Sequence, residues 1–137
     1  MNSDLTSKLL QQAEKARNSA YCPYSGFAVG AALLTDSGEL YSGANIENAS
    51  YPLCLCAERV AFSKAISDGH RKFKAIAIAG APQNETLDSP CPPCGACRQV
   101  ISEFCDDDFE IVLADKTYLL KDLLPVRFKL NLQEEIS

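Results

Sequence analysis

The sequence predicts an α/β domain in which a mixed β-sheet lies between helices, a three-layer α/β/α arrangement. Three observations point there. After an initial helical pattern and a hairpin signal, apolar runs of strand length alternate with runs of helical period, and such alternation returns strands to one sheet with helices on both faces. The 137 residues, 47% hydrophobic and 23% charged, suffice to bury the core of one domain. No repeat, low-complexity tract or linker divides them, so residues 1–137 are read as a single unit.

The elements follow in order. Ser3 or Asp4 can cap a helix whose apolar residues Leu5, Leu9, Leu10, Ala13 and Ala16 keep helical spacing. Gly26 opens the apolar run Phe27–Leu34, which breaks at Thr35-Asp36-Ser37-Gly38-Glu39 and resumes over Leu40–Gly43; this is a hairpin with an Asp-Ser-Gly turn. From Ala57 to Asp68 the residues Ala57, Val60, Ala61 and Ala65 mark one helix face, and Gly69 is the expected C-terminal cap. Phe73–Ala79 and Phe109–Ala114 have strand length, and between them Gly95–Cys105 has helical period through Val100, Ile101 and Phe104. Lys121–Leu124, ahead of Pro125, reads as a last short helix.

Charge narrows the partners. Thirteen Lys and Arg against eighteen Asp and Glu leave a net charge of −5, and no basic run exceeds Arg71-Lys72, which disfavours a nucleic acid. The longest apolar stretches fall far short of the ~20 residues of a membrane span, and Met1-Asn2-Ser3-Asp4 lacks a secretory pattern. A soluble, cytoplasmic protein acting on a small neutral molecule is expected.

The seven cysteines are the unusual feature. In a chain without secretory character, closely spaced cysteines point to metal or catalysis before disulfides. Cys94 and Cys97 stand three apart at a helix start, so both sulfurs lie on one face and can hold one ion. Cys56, at the start of the preceding helix, supplies a third ligand if the two helix N-termini meet at one sheet edge. There the helix dipoles favour thiolates. Three cysteines leave zinc an open fourth position, as a catalytic site needs to hold water. Glu58, two residues past Cys56, is placed to take that water's proton and pass it on. Three thiolates and a carboxylate over-neutralise Zn²⁺, so a nearby cation is required. Arg59 is the leading candidate and Arg98 the weaker one.

With these residues in view, the chain resembles the small homotetrameric cytidine deaminases over nearly its whole length. The likeness runs through Ala20–Phe27, Val29–Leu33, Asn45–Tyr51, Cys56-Ala57-Glu58-Arg59 and Cys94-Gly95-Ala96-Cys97-Arg98-Gln99-Val100. The resemblance implies one zinc per subunit, held by Cys56, Cys94 and Cys97, with Glu58 as proton shuttle. It implies that Asn45 and Glu47 hydrogen-bond the ribose, that Phe27 packs on the nucleoside and that the Ala57 backbone helps hold the pyrimidine. It further implies hydrolysis of cytidine and 2′-deoxycytidine to uridine and 2′-deoxyuridine in pyrimidine salvage, and a homotetramer in which Phe128 reaches a neighbour's pocket. Blasticidin-type deaminases share the three cysteines; Asn45, Glu47 and Phe27 favour the plain nucleoside.

One stretch departs from the family pattern Ser-Pro-Cys-Gly: Ser89-Pro90-Cys91 is followed by Pro92-Pro93-Cys94-Gly95. The motif Cys-Gly-x-Cys-Arg-Gln fits only Cys94, so Cys91 is assigned to an enlarged loop beside the site. Cys54 is expected to pack, and Cys22 and Cys105 to be buried structural thiols. A closed four-thiolate zinc using Cys54 would leave Glu58 without a task. An iron–sulfur run from Cys91 fails at its fourth ligand, where Ile101 stands.

Overall fold

A computed structural model describes residues 1–130; the last seven residues of the single unit read over 1–137 lie outside the described part. Its elements are α1 (Ser3–Ala16), β1 (Phe27–Thr35), β2 (Leu40–Ala44), α2 (Ala57–Ser67), β3 (Phe73–Pro82), α3 (Gly95–Phe104), β4 (Glu110–Val112), β5 (Thr117–Leu119) and α4 (Leu120–Leu123). The strands form one sheet in the order β2-β1-β3-β4-β5. It is mixed: β3 and β4 run parallel with α3 in the crossover, and the other neighbouring pairs are antiparallel.

The two-residue period of a strand sorts side chains into two cores. Ala31 and Leu33 of β1 and Ile76 and Ile78 of β3 face α2 and α3, where they meet Ala61, Phe62, Ala65 and Ile101. Ala32, Leu34, Ala75, Ala77 and Ala79 face α1 through Leu9 and Ala13. Helices thus cover both faces, giving the three layers expected. Each fully buried Leu, Ile or Phe on these faces contributes roughly 1.5–3 kcal/mol. Phe62 is central on the α2 side, its ring 5.1 Å from Phe73 and 6.1 Å from Phe104.

Several sequence expectations need correction. Asn2, rather than Ser3 or Asp4, caps α1 by accepting from the Leu5 amide at 2.8 Å. β3 continues to Pro82, three residues beyond Ala79, because its partner β1 extends to meet it from Phe27. The last helix begins one residue earlier, at Leu120, and β4 is only three residues long. β5 was not expected at all. Three residues on a sheet edge, Thr117-Tyr118-Leu119, carry too little periodicity to show, and the pairing Ile111 to Tyr118 is what makes them a strand. Gly69 does follow α2, with φ +100.

Two features place the site. β2 crosses the first turn of α2 so closely that a Cβ on Gly43 would sit 2.4 Å from the Ala57 carbonyl oxygen. The chain beyond α4 is clamped by Arg127, which donates to the Ser102 hydroxyl, the Ser102 and Cys105 carbonyls and the Asp107 carboxylate. α3 therefore carries Cys94 and Cys97 at its start and anchors the C-terminal segment at its end.

Candidate active site

α2 and α3 both begin with cysteine as N-cap, Cys56 and Cys94. An N-cap residue is extended while the helix behind it is fixed, so its side chain projects at the helix start, where unpaired N–H groups accumulate. The Cys94 sulfur accepts from the Cys97 amide at 3.5 Å, and the Cys56 sulfur makes no such cap bond. The sulfurs of Cys56, Cys94 and Cys97 all lie within 4.8 Å of one another, with Cys56 and Cys94 3.9 Å apart. Zinc–thiolate bonds of about 2.3 Å in a tetrahedron require sulfurs about 3.8 Å apart, so this donor set fits zinc in spacing and in chemistry.

The electrostatics of the cluster agree with one shared charge. The Cys56 thiol is lowered to about 5, chiefly by the hydrogen bond from Cys97 and further by Arg59. Cys97, its partner in that bond, is pushed up. Arg59 donates through Nη2 to the Cys54 carbonyl at 3.1 Å and to the Cys56 sulfur at 3.8 Å. Its Nε is buried without a partner among the described residues. Arg98 does something else: it donates to the Pro93 carbonyl at 2.8 Å and to the Leu123 carbonyl at 2.7 Å, so it braces the ligand loop and is not bonded to a thiolate.

Glu58 is 5% exposed, and burial foremost, then the charge on Cys56, raises its carboxyl above the usual range. Together with Cys56 and Cys94 it lines a cleft of about 450 Å³, within the size range of small-molecule sites. Asn45 and Glu47 line the same cleft. Asn45 accepts from the Val29 amide and donates to the Phe27 carbonyl, both at 2.9 Å, which leaves one N–H and one lone pair free. Glu47 accepts from the amides of Tyr24 and Ser25 and from the Ser25 hydroxyl. The hydroxyl bond leads in holding its carboxyl below the usual value.

The structure thus brings Cys56, Ala57, Glu58, Asn45, Glu47 and Cys94 to one cleft, with Cys97 in the sulfur cluster beneath. Phe27 is not among the residues lining it. Its ring lies beside the cleft, against β3 at Gly80 and Cys91. Phe128 is 67% exposed and borders a separate depression with Gln99 and Ser102, so it is neither in this chain's core nor in its cleft. Cys22 and Cys105 are buried as expected. Cys54 is bonded to the Asn48 backbone, and both Cys54 and Cys91 line the cleft.

Sequence reasoning missed Tyr24, Ser25 and Tyr51. The rings of Tyr24 and Tyr51 meet edge-on at 6.3 Å on the cleft wall. Tyr24 and Ser25 do lie inside the family-like block before Phe27, which was the available signal. Tyr51 likewise closes the family-like block Asn45–Tyr51, but it opens a single 3-10 turn, Tyr51–Leu53, too short to carry a periodicity.

Residues 3–113 match the model of the cytidine and deoxycytidylate deaminase zinc-binding region. A cytidine deaminase of Sporosarcina psychrophila is 51% identical over 108 residues, covering 79% of this chain and 76% of that protein. One from Halalkalibacterium halodurans is 46% identical over 125 residues, covering 88% and 91%. The crystal structure of a cytidine deaminase from Burkholderia pseudomallei superimposes with a TM-score of 0.82 at 43% identity, covering 93% of this chain and 100% of that one.

Proposed function

The chain belongs to the cytidine and deoxycytidylate deaminase family, and from that premise we propose that it hydrolyses cytidine and 2′-deoxycytidine to uridine and 2′-deoxyuridine with release of ammonia. The observation that carries this reading is the three-sulfur cluster of Cys56, Cys94 and Cys97 beside the buried carboxyl of Glu58 in one cleft. No helix of the described residues is long and apolar enough to cross a membrane.

Cys56, Cys94 and Cys97 would hold the zinc. When bound, zinc supplies the Lewis acidity that brings water from a pKa of 15.7 to about 7. Glu58 takes a proton from the attacking water at its carboxylate and delivers it to ring N3; it then takes the proton of the new C4 hydroxyl and passes it to the C4 amino group, which leaves as ammonia as the C4 carbonyl forms. A carboxyl raised by burial suits that task, because it must give protons up and take them again near neutral pH. Arg59 offsets the thiolate charge through Cys56 and fixes the Cys54 carbonyl behind it.

Asn45 and Glu47 bind the ribose with the capacity their backbone bonds leave spare, and those bonds hold both side chains still before the nucleoside arrives. The Ala57 backbone holds the polar edge of the base. Phe27, beside the cleft and 39% exposed, packs on the nucleoside. Phe128 completes a neighbour's cleft in a homotetramer. Its exposure, with Val126 at 87% and Leu130 at 68%, supports a partner surface.

The test is ammonia release from cytidine, measured with metal content. About one zinc per subunit is expected, with activity lost on stripping. Glu58→Gln should retain zinc and fold while losing at least ~10²–10⁴-fold in turnover. Near wild-type turnover in that variant, or full activity in verified metal-free protein, overturns the assignment.

A further inference from the structure

Cys91 is a half-buried thiol on the cleft wall, outside the three-sulfur cluster. It packs against the α2-side core, close enough to Glu58 and Cys56 for their charges to act on it. Burial first, and those charges next, push its thiol up to about 11, so it stays protonated and behaves as a small apolar group, a poor nucleophile and a poor ligand. It also has nowhere to retreat. Behind it stands β3 at Gly80, where a Cβ would lie 2.7 Å from the Cys91 sulfur, 3.1 Å from the Cys91 Cβ and 3.0 Å from the Phe27 ring. The missing side chain at Gly80 is the space that lets Cys91 and Phe27 sit where they do.

The reaction constrains the base. C4 must face the sulfur cluster and Glu58, and C4 is flanked by N3 on one side and C5 on the other. N3 and O2 need polar partners, which Glu58 and the Ala57 backbone provide. The C5–H edge needs none, and burying it against a polar group would cost free energy. Val29, Leu55, Cys91 and Pro92 are the cleft residues that offer no charge or strong hydrogen bond, and Cys91 among them lies close enough to Glu58 to feel its charge.

We infer that Cys91 walls the C5 edge of the pyrimidine and sets which C5 substituents the site accepts. This rests on the deaminase reading above and adds to it a specificity-determining residue, backed by Gly80.

The experiment compares kcat/KM for cytidine and 5-methylcytidine in the zinc-loaded wild type, in Cys91→Ala and in Gly80→Ala, each with its zinc content measured. One methyl group in a close-fitting pocket is worth roughly 10–200-fold. Cys91→Ala removes the sulfur, and its ratio of 5-methylcytidine to cytidine efficiency should rise about 10-fold or more. Gly80→Ala puts a Cβ 2.7 Å from the Cys91 sulfur, which must shift; with the cleft on its other side the expected shift narrows the cleft, so the ratio should fall, and adding Cys91→Ala should relieve that loss. Either variant decides alone if the other fails to fold. A ratio within twofold of wild type in whichever variants fold overturns the inference while cytidine turnover stands. No ammonia from cytidine in the zinc-loaded wild type would instead overturn the deaminase reading itself.

Discussion

Gly43→Ala perturbs the site from a residue that touches no substrate. The new Cβ would lie 2.4 Å from the Ala57 carbonyl oxygen, 2.7 Å from the Ala61 amide nitrogen and 3.1 Å from the Val60 Cβ. The first is about 1 Å short of the 3.4 Å at which ordinary contact begins, and the two nearest atoms are backbone, so no side chain can turn away. Strand β2 and the first turn of α2 must separate by about that much. Cys56, Ala57 and Glu58 would move with α2, while Cys94 and Cys97 stay on α3. A metal site tolerates ligand errors of about 0.2 Å, and the Cys56–Cys94 spacing is already near its ideal at 3.9 Å. Overpacking of this kind costs about 1–3 kcal/mol, or roughly 4–12 °C in Tm for a domain of this size. A 1 Å misplacement of catalytic groups costs on the order of 10²-fold in rate. Thermal melting, zinc release to a chromophoric chelator and ammonia release from cytidine read the three effects separately. Wild-type melting, zinc retention and turnover together would refute the claim that this strand–helix contact positions the site.

Arg59→Ala should release zinc ~10–100-fold faster to the same chelator, because Cys56 loses its cationic donor; an unchanged release rate would remove Arg59 from the metal's support. Phe128→Ala should raise KM for cytidine, and light scattering of the wild type should give close to four times 14.9 kDa; a stable, fully active monomer would rule out shared sites. Glu47 has a carboxyl lowered in the folded state, first by the Ser25 hydroxyl and then by the amides of Ser25 and Tyr24. Its contribution to stability is therefore fully present above the unfolded value of 4.5 and is lost as pH falls below that through the folded value. The Tm advantage of the wild type over Glu47→Gln should be constant above about pH 5 and shrink on acidification; a difference that does not change with pH would mean Glu47 is held by packing alone.

What the sequence determined by itself is whatever local spacing encodes. A step of three positions from Cys94 to Cys97 places two sulfurs on one helical face, and a step of two from Cys56 to Glu58 places a carboxyl near a helix start; both hold regardless of the rest of the chain. The unbroken apolar run Phe27–Leu34 likewise suits a strand buried on both faces, and the two-residue period of a strand then puts Ala31 and Leu33 on one core and Ala32 and Leu34 on the other. Tertiary structure decided everything that depends on sheet order and close approach. Cys56 meets Cys94 across 38 residues only because β3 pairs between β1 and β4, so that α2 and α3 start on the same side of the sheet. Arg98 looks like a thiolate donor in sequence, yet its side chain reaches the carbonyls of Pro93 and Leu123, which lie five and 25 residues away. β5 exists only as a partner for β4, and Cys91 becomes a cleft wall only because Gly80, eleven residues earlier, has no side chain to fill that space. Periodicity records which face a residue belongs to; which other face it meets is set by long-range packing that no local window contains.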